Sequence, residues 1–120
     1  MEKSIKFFLF FLISFLFISC SNNQEVLLNK CNLKKDGVSC SNIAVKYLKE
    51  KNEIKSFEYF KKACDFSKLA HQCFFVATHY FIGKGVEKDI SKACEYFDIA
   101  CDEGSLYACN TLTGLDEACK

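Results

Sequence analysis

The chain has 120 residues, a length that suits a single domain, and its 16 basic residues nearly balance its 15 acidic ones. Glu2, Lys3 and Lys6 are the only charged residues among the first 19, so 14 basic and 14 acidic side chains follow them. A neutral chain without a block of Lys or Arg argues against nucleic acid or an anionic membrane surface as the main partner.

The N-terminal residues have the pattern of a secretory signal peptide. Lys3 and Lys6 give a positive start, and residues 7–18 are apolar except for Ser14. Twelve residues rise about 18 Å as a helix, which is too short for a hydrocarbon core of about 30 Å. The pattern therefore favours a signal peptide over residues 1–19 and not a membrane-spanning anchor.

The signal peptide ends in Phe-Ile-Ser-Cys, which resembles a bacterial lipobox. In a lipobox the cysteine, here Cys20, receives a lipid and becomes the new N-terminus. Phe17 stands where leucine is usual, which leaves ordinary cleavage near Ser21 open. The sequence favours the lipoprotein, anchored to a membrane only through that lipid. The expected division of the chain is a signal peptide (1–19), a tether (20–29) and a folded domain (30–120).

Six of the other cysteines form three regularly spaced pairs: Cys31/Cys40, Cys64/Cys73 and Cys101/Cys109. Corresponding cysteines of successive pairs are 33 to 37 residues apart, in the range of two-helix repeats. Apolar residues recur at three- and four-residue steps on both sides of the pairs, which predicts helices there. We expect helices near 40–50, 54–66, 69–82, 90–103 and 106–117, with a partial capping helix before Cys31.

The complete repeat, residues 73–109, contains a turn with two glycines. Gly83 and Gly85 permit the positive φ angles that a tight helix reversal needs. Asp89 follows at the position of an N-cap for the next helix. The corresponding turn of the first repeat, residues 51–53, is about four residues shorter and has no glycine, so we expect it to be less regular.

Residues 73–109 resemble Sel1-like repeats in their cysteine-bearing form, the Helicobacter cysteine-rich proteins. The likeness is carried by Tyr80-x2-Gly83-x-Gly85-Val86-x2-Asp89-x2-Lys92-Ala93-x2-Tyr96-x3-Ala100-Cys101-x7-Cys109. The resemblance implies an all-α fold, a right-handed solenoid of about two and a half αα-hairpins related to tetratricopeptide repeats, with a disulfide tying each hairpin to the next. This sequence departs from the pattern in the first two cysteine pairs, which are one residue wider than usual, and in Cys94, where alanine is usual.

Zinc is the rival interpretation of closely spaced cysteines. Compact zinc sites use cysteines two to four residues apart, and this chain contains no Cys-x2-Cys. An exported chain also enters a compartment where disulfides persist. With Cys20 set aside, Cys94 and Cys119 are left for each other, at a similar height on antiparallel helices. We expect no metal and no cofactor, and four disulfides: Cys31–Cys40, Cys64–Cys73, Cys101–Cys109 and Cys94–Cys119.

No catalytic motif is present in the sequence. His71 and His79 lie eight residues apart on one predicted helix, without the Glu of a metalloprotease motif, and are expected to be exposed or half-packed structural side chains. Ser-x-x-Lys, Ser-Asp-Asn and Lys-Thr-Gly, the elements of serine β-lactamases, do not occur. The sequence therefore assigns no catalytic residue.

Two functions follow from these patterns. The favoured one is an exported protein–protein interaction module of the periplasm, the outer membrane or the secretome, because solenoids present a curved face to partners. The alternative comes from the resemblance, since members of the cysteine-rich family carry a β-lactamase or penicillin-binding label. It implies binding or hydrolysis of a β-lactam or a peptidoglycan-like ligand. The candidate aromatic anchors of the binding face are Tyr59, Phe75, Tyr96 and Tyr107.

Overall fold

The structure, a computed structural model, describes residues 2–120, except for the side chains of residues 15–22. The expected lipid site, Cys20, is among those side chains and so lies outside the described ones. Six α-helices and no strand occur in the described residues, which confirms the all-α class. The helices are α1 (Glu2–Lys34), α2 (Gly37–Lys49), α3 (Glu53–Ser67), α4 (Ala70–Ile82), α5 (Ile90–Asp102) and α6 (Leu106–Gly114).

Helices that follow each other along the chain pack against each other, which is the arrangement of a solenoid. The most extensive packing is within two hairpins, one of α2 and α3 and one of α4 and α5. The second hairpin packs on the first through α3 and α4, while α1 packs on α2 and α6 packs on α5. Equivalent helices of neighbouring hairpins also touch, because Gln72 of α4 donates a hydrogen bond to Ser41 of α2 at 2.8 Å.

The core consists of two apolar clusters. The larger joins the two hairpins and α6 around Phe57, Phe60, Val76 and Phe97. The smaller lies between α1, α2 and α3, and consists of Cys31, Cys40, Ile43 and Ala63 with the partly buried Leu27, Leu28, Tyr47 and Tyr59 against it. Every member of both clusters lies at or after Leu27, so residues 23–120 contain all of the core that the described side chains form.

The helix that precedes the first hairpin is longer than the sequence predicts. The expected tether, residues 20–29, belongs to α1, and Leu27 and Leu28 pack into the smaller cluster. Packing of the repeats therefore begins three residues before the expected boundary at residue 30. Before the undescribed side chains, apolar residues from Ile5 to Ile13 are 52–79 % exposed. No helix in the described part of the chain is both long and apolar enough to cross a membrane.

Local capping explains where two helices depart from their predicted ends. Helix α2 begins three residues early, at Gly37, because the Asp36 side chain accepts a hydrogen bond from the Ser39 amide and caps the helix there. Helix α6 ends at Gly114 and not near 117, because the chain turns over residues 115–118 and Cys119 bonds back to α5.

The turns within the two hairpins are both well ordered, although only the second contains glycine. In the first hairpin Lys51 adopts the left-handed conformation at φ 58°, and Asn52 caps α3, so the turn is ordered although it has no glycine. In the second hairpin Gly83 and Gly85 have φ angles of 72° and 70°, and Asp89 caps α5.

The glycine turn of the second hairpin also rests on the start of α3. A Cβ atom added to Gly85 would lie 2.4 Å from the carbonyl oxygen of Glu53, a distance that Cβ atoms essentially never show in proteins. Beside it, the Lys84 ammonium lies 3.2 Å from a carboxylate oxygen of Glu53. The turn is therefore a contact between hairpins as well as a link between helices.

Candidate interaction surface

Four disulfides fix the positions of the helices. Three of them join the last turn of one helix to the first turns of the next, with Cα atoms 4.8 Å apart in each case: Cys31–Cys40, Cys64–Cys73 and Cys101–Cys109. The fourth, Cys94–Cys119, holds the segment after α6 against α5. These are the pairs that the sequence analysis expects. The first two are fully buried, whereas the two nearer the C-terminus are partly exposed.

The two histidines have different environments. His71 is exposed in the first turn of α4. His79 is buried, which corrects the expectation of an exposed or half-packed ring. Its ring stacks on Phe57 at 5.9 Å, and its Nδ1 lies 2.7 Å from the Lys84 carbonyl oxygen. Because a carbonyl can only accept, Nδ1 carries the proton, and His79 ties the glycine turn to α4.

The described residues show no arrangement suited to metal or acyl-transfer chemistry. No cluster of three or more His, Cys, Asp or Glu side chains that could hold a metal ion occurs among them. The serine hydroxyls that lie near the core bond to local partners: Ser39 donates to its cap residue Asp36, Ser56 donates to the Ala44 carbonyl, and Ser67 accepts from an amide of α2. These contacts stabilise helix ends and helix pairs.

The four predicted aromatic anchors lie on two different faces. Tyr59 and Tyr96 are on α3 and α5 and are half-buried. Tyr59 stacks on Tyr47 of its hairpin partner at 5.7 Å and lies beneath the Lys62 ammonium, 4.6 Å from the ring centroid. Tyr96 makes the equivalent stack on Tyr80 at 5.8 Å. These two tyrosines therefore help to hold the helices of each hairpin together.

Tyr96 also links α5 to α3. Its hydroxyl donates a hydrogen bond to Asp65 at 2.9 Å, and Asp65 pairs with Lys61 one turn earlier. Burial raises the pKa of the Tyr96 hydroxyl above its ordinary value, and the Asp65 carboxylate raises it further. Burial lowers the pKa of Lys61, but the hydrogen bonds and charges of Asp65 and Tyr96 together outweigh this effect, so the pKa of Lys61 is raised overall.

This network predicts a loss of stability at alkaline pH. Since the pKa of Tyr96 is raised in the folded state, its contribution is complete below about pH 10, the ordinary value for tyrosine, and is lost as pH rises through the folded value. We expect Asp65→Asn to move the pKa of Tyr96 back towards its ordinary value. The measurement is an ultraviolet titration of tyrosinate, with Tyr96→Phe identifying the contribution of that residue. An unchanged Tyr96 titration in Asp65→Asn would contradict the prediction.

Phe75 and Tyr107 lie on the other side of the stack, on α4 and α6. Phe75 is 41 % exposed and Tyr107 is 76 % exposed. They occupy related places, because Phe75 is two residues after the second cysteine of its pair and Tyr107 is two residues before. On a helix, positions four residues apart lie on one face. Phe75 is not fully free, since its ring stacks on the buried Phe60 at 4.9 Å.

The same face continues along α2, α4 and α6. On each of these helices a stripe of four positions can be defined from the second cysteine of the pair (Cys40, Cys73 or Cys109). One position lies two residues before that cysteine, and the others lie two, five and nine residues after it. On α2 the last of these positions is Lys49, where the uncharged part of the stripe ends. Ala118 lies beyond the end of α6. We call the other positions the uncharged face; its members are Val38, Asn42, Val45, His71, Phe75, Thr78, Ile82, Tyr107, Thr111 and Gly114, all exposed or half-buried. Sequence reasoning missed Val38, Val45 and Ile82, although their fixed offset from the cysteines is a signal that could have found them.

The charge of the two sides of the stack differs sharply. Helices α4 and α6 contain no Asp, Glu, Lys or Arg, and α2 contains two lysines. Helices α3 and α5 together contain ten charged residues. Because a solvated helix ordinarily carries charges on its outer side, the missing charges on α4 and α6 mark the uncharged face as the surface suited to a partner.

Comparisons with known proteins agree with this architecture. The Sel1 repeat family matches residues 42–65 and 73–105. Cysteine rich protein B of Helicobacter pylori is a similar solved structure, with 28% identity and a TM-score of 0.67 over 77% of this chain and 71% of that one. A comparison with curated proteins yields no match.

Two further solved structures share the fold alone. A protective antigen of uropathogenic Escherichia coli strains that displays an SLR fold is 23% identical, with a TM-score of 0.64 over 77% of this chain. A Sel1 repeat protein from Oxalobacter formigenes is 15% identical, with a TM-score of 0.63 over 87% of this chain. The present chain spans 21% and 45% of these two proteins, respectively.

Proposed function

Because this chain is a Sel1-like repeat protein of the cysteine-rich Helicobacter type, we propose that it is an exported interaction module that holds a protein partner on the uncharged face. The observation that carries the proposal is the absence of charged residues from α4 and α6 beside the exposed Phe75, Ile82 and Tyr107. Interface cores are depleted of charge and enriched in aromatic residues. A partner of matching chemistry would present apolar side chains and few charges.

The disulfides support this function through rigidity. Three of them each fix a helix of the uncharged face to the helix before it, so the face is ordered before a partner arrives. A preorganised surface loses less conformational entropy on binding than a flexible one. Nothing in the described residues favours the hydrolytic alternative, and the proposal is therefore binding.

The disulfides also fit an extracellular or periplasmic protein. Within that range we propose removal of residues 1–19 as a signal peptide and lipid attachment at Cys20, on the sequence patterns described above. The lipid would anchor residues 20–29 and the repeat domain to the membrane. Mass spectrometry of the envelope form tests this, because a lipidated N-terminus at residue 20 and a free one at residue 21 differ in mass.

The test of binding uses charges placed on the uncharged face. Ile82→Lys puts a cation at the end of α4, and Tyr107→Asp puts an anion in the first turn of α6, so both agree with the helix dipole and should leave folding intact. We expect the double variant to retain less than about a tenth of each partner recovered by quantitative pull-down from the cell envelope, since loss of a central anchor costs about 2 kcal/mol or more.

The matched control is Glu58→Lys on α3, an exposed residue of the charged side. It changes the charge without touching the uncharged face, and its exposed pair with Lys62 contributes little to stability. Equal recovery of the partner by the double variant and the wild type would contradict the proposed surface. Loss of the partner in Glu58→Lys alone would place the binding site on the opposite side.

A further inference from the structure

The two ends of the helix stack carry opposite charge. Residues 24–68 contain ten Lys residues and six Asp or Glu residues. Residues 93–120 contain six Asp or Glu residues and one Lys. The stack is therefore basic at one end and acidic at the other, although the net charge of residues 20–120 is zero. Such an arrangement favours contact between unlike ends of two copies.

The α1 end repeats a surface that is buried elsewhere in the molecule. Cys31 is the counterpart of Cys64, so residues of α1 correspond to residues of α3 that lie 33 positions later. In α3 the side facing its hairpin partner includes Ser56, which donates to the Ala44 carbonyl, and Ser67, which accepts from the Gly37 amide. The counterparts of that side form the open face of α1: Asn23, Val26, Lys30 and Lys34, all exposed.

The α6 end has the complementary face. Cys109 corresponds to Cys40 of α2, so the counterparts of Gly37, Ser41, Ala44 and Tyr47 make up the open face of α6. Its members are Leu106, Asn110 and Thr113 on α6 and Asp116 in the turn that follows, all exposed. In residues 2–120 no helix covers this face, because the chain leaves α6 by turning back to α5 through the Cys94–Cys119 disulfide.

We infer that these two faces bind each other in neighbouring copies of the chain, so that α1 of one copy lies against α6 of the next in the orientation that α3 has against α2, but at a greater distance. In this arrangement Leu106 of one copy lies opposite Lys34 of the other. The corresponding residues within the first hairpin are Gly37 and Ser67, which are hydrogen-bonded to each other. The carboxylates of Asp102 and Glu103, exposed beside the start of α6, would then face the lysines at the end of α1.

The interface is heterologous, since each copy uses one end for each neighbour. A heterologous contact whose rotation does not close produces an open chain of subunits. The contact is expected to be weak, because Leu106 and Lys34 are bulkier than Gly37 and Ser67 and keep the helices farther apart. Its formation does not depend on the uncharged face, which stays accessible along the assembly.

Sedimentation velocity of residues 23–120, oxidised and without lipid, tests the inference. We expect the weight-average mass to rise with protein concentration up to about 1 mM. The rise should disappear as ionic strength increases from about 20 mM to about 0.5 M, because exposed charge pairs are screened. A protein that stays monomeric at low salt up to that concentration overturns the inference.

Charge reversal locates the contact. Lys30→Glu with Lys34→Glu, and separately Asp102→Lys with Glu103→Lys, should each abolish association alone. Mixing the two double variants should restore association, because each end then meets an opposite charge. Glu95→Lys with Asp98→Lys on the side of α5 is the matched control and should associate at low salt. Circular dichroism verifies folding, and association that survives both end reversals overturns the inference.

Discussion

Replacing Gly85 with alanine is expected to lower the free energy of unfolding by about 2–4 kcal/mol, a large share of the stability of a domain of this size. Two effects add at this position. The φ angle of 70° lies in the left-handed region, where a Cβ atom costs about 1 kcal/mol. The new Cβ would also lie 2.4 Å from the Glu53 carbonyl oxygen, a backbone atom that moves only if α3 moves.

The chain supplies two control glycines for this experiment. Gly104 also has a positive φ, at 97°, but an added Cβ meets nothing within 4 Å, so Gly104→Ala should show the backbone strain alone. Gly114 has neither constraint and is the exposed last residue of α6, where alanine should change the stability by less than about 0.5 kcal/mol. Urea denaturation followed by circular dichroism measures all three. Equal losses in Gly85→Ala and Gly104→Ala would show that the contact with α3 carries no energy.

Removing the buried disulfide Cys64–Cys73 is expected to destabilise the protein more than removing Cys94–Cys119. Chain entropy alone predicts the reverse, about 2.7 kcal/mol for the shorter loop and about 3.5 kcal/mol for the longer one. Burial reverses this order of the two losses, because Cys64 and Cys73 are both fully buried in the larger cluster. Cys64→Ala with Cys73→Ala therefore loses packing as well, for a total of about 4–5 kcal/mol.

Removing Cys94–Cys119 is expected to cost less, because this disulfide holds a segment that has no regular secondary structure. Residues 115–120 form turns, and after reduction this segment frays in the folded state and regains entropy there. The loss for Cys94→Ser with Cys119→Ser should then stay below about 3 kcal/mol. Urea midpoints of the two double variants test the order. A larger loss for Cys94–Cys119 would mean that loop length outweighs burial in this fold.

The sequence predicts the repeats well because their signals are local. Residues at helical steps around each cysteine pair place α3, α4 and α5 within about one residue of their ends, a precision that capping signals such as Asp89 allow. The predicted start of α2 is wrong because its cap, Asp36, comes before the cysteine that serves as the landmark. The packing of α1 before residue 30 is not predicted, because it depends on the contact of Leu27 and Leu28 with the smaller cluster, which no local sequence pattern specifies.

The candidate surface is predictable only in part. Phe75 and Tyr107 are exposed as an anchor requires, but Tyr59 and Tyr96, which are also aromatic, are held by stacking between helices. Their roles differ because one pair lies on α4 and α6 and the other on α3 and α5, and periodicity within a helix does not show which side of a hairpin faces inward. The burial of His79 follows from the glycine turn folding back over its ring.

The continuous helix α1 has a mechanical consequence. From residue 20 to Cys31 the chain is helical, so this stretch is a rigid helix about 16 Å long and not a flexible linker. Any force or constraint applied near residue 20 is therefore transmitted to the first hairpin through Cys31–Cys40 as a direction and not only as a distance. If the protein is attached near residue 20, the orientation of its helix stack relative to the attachment point is therefore restricted.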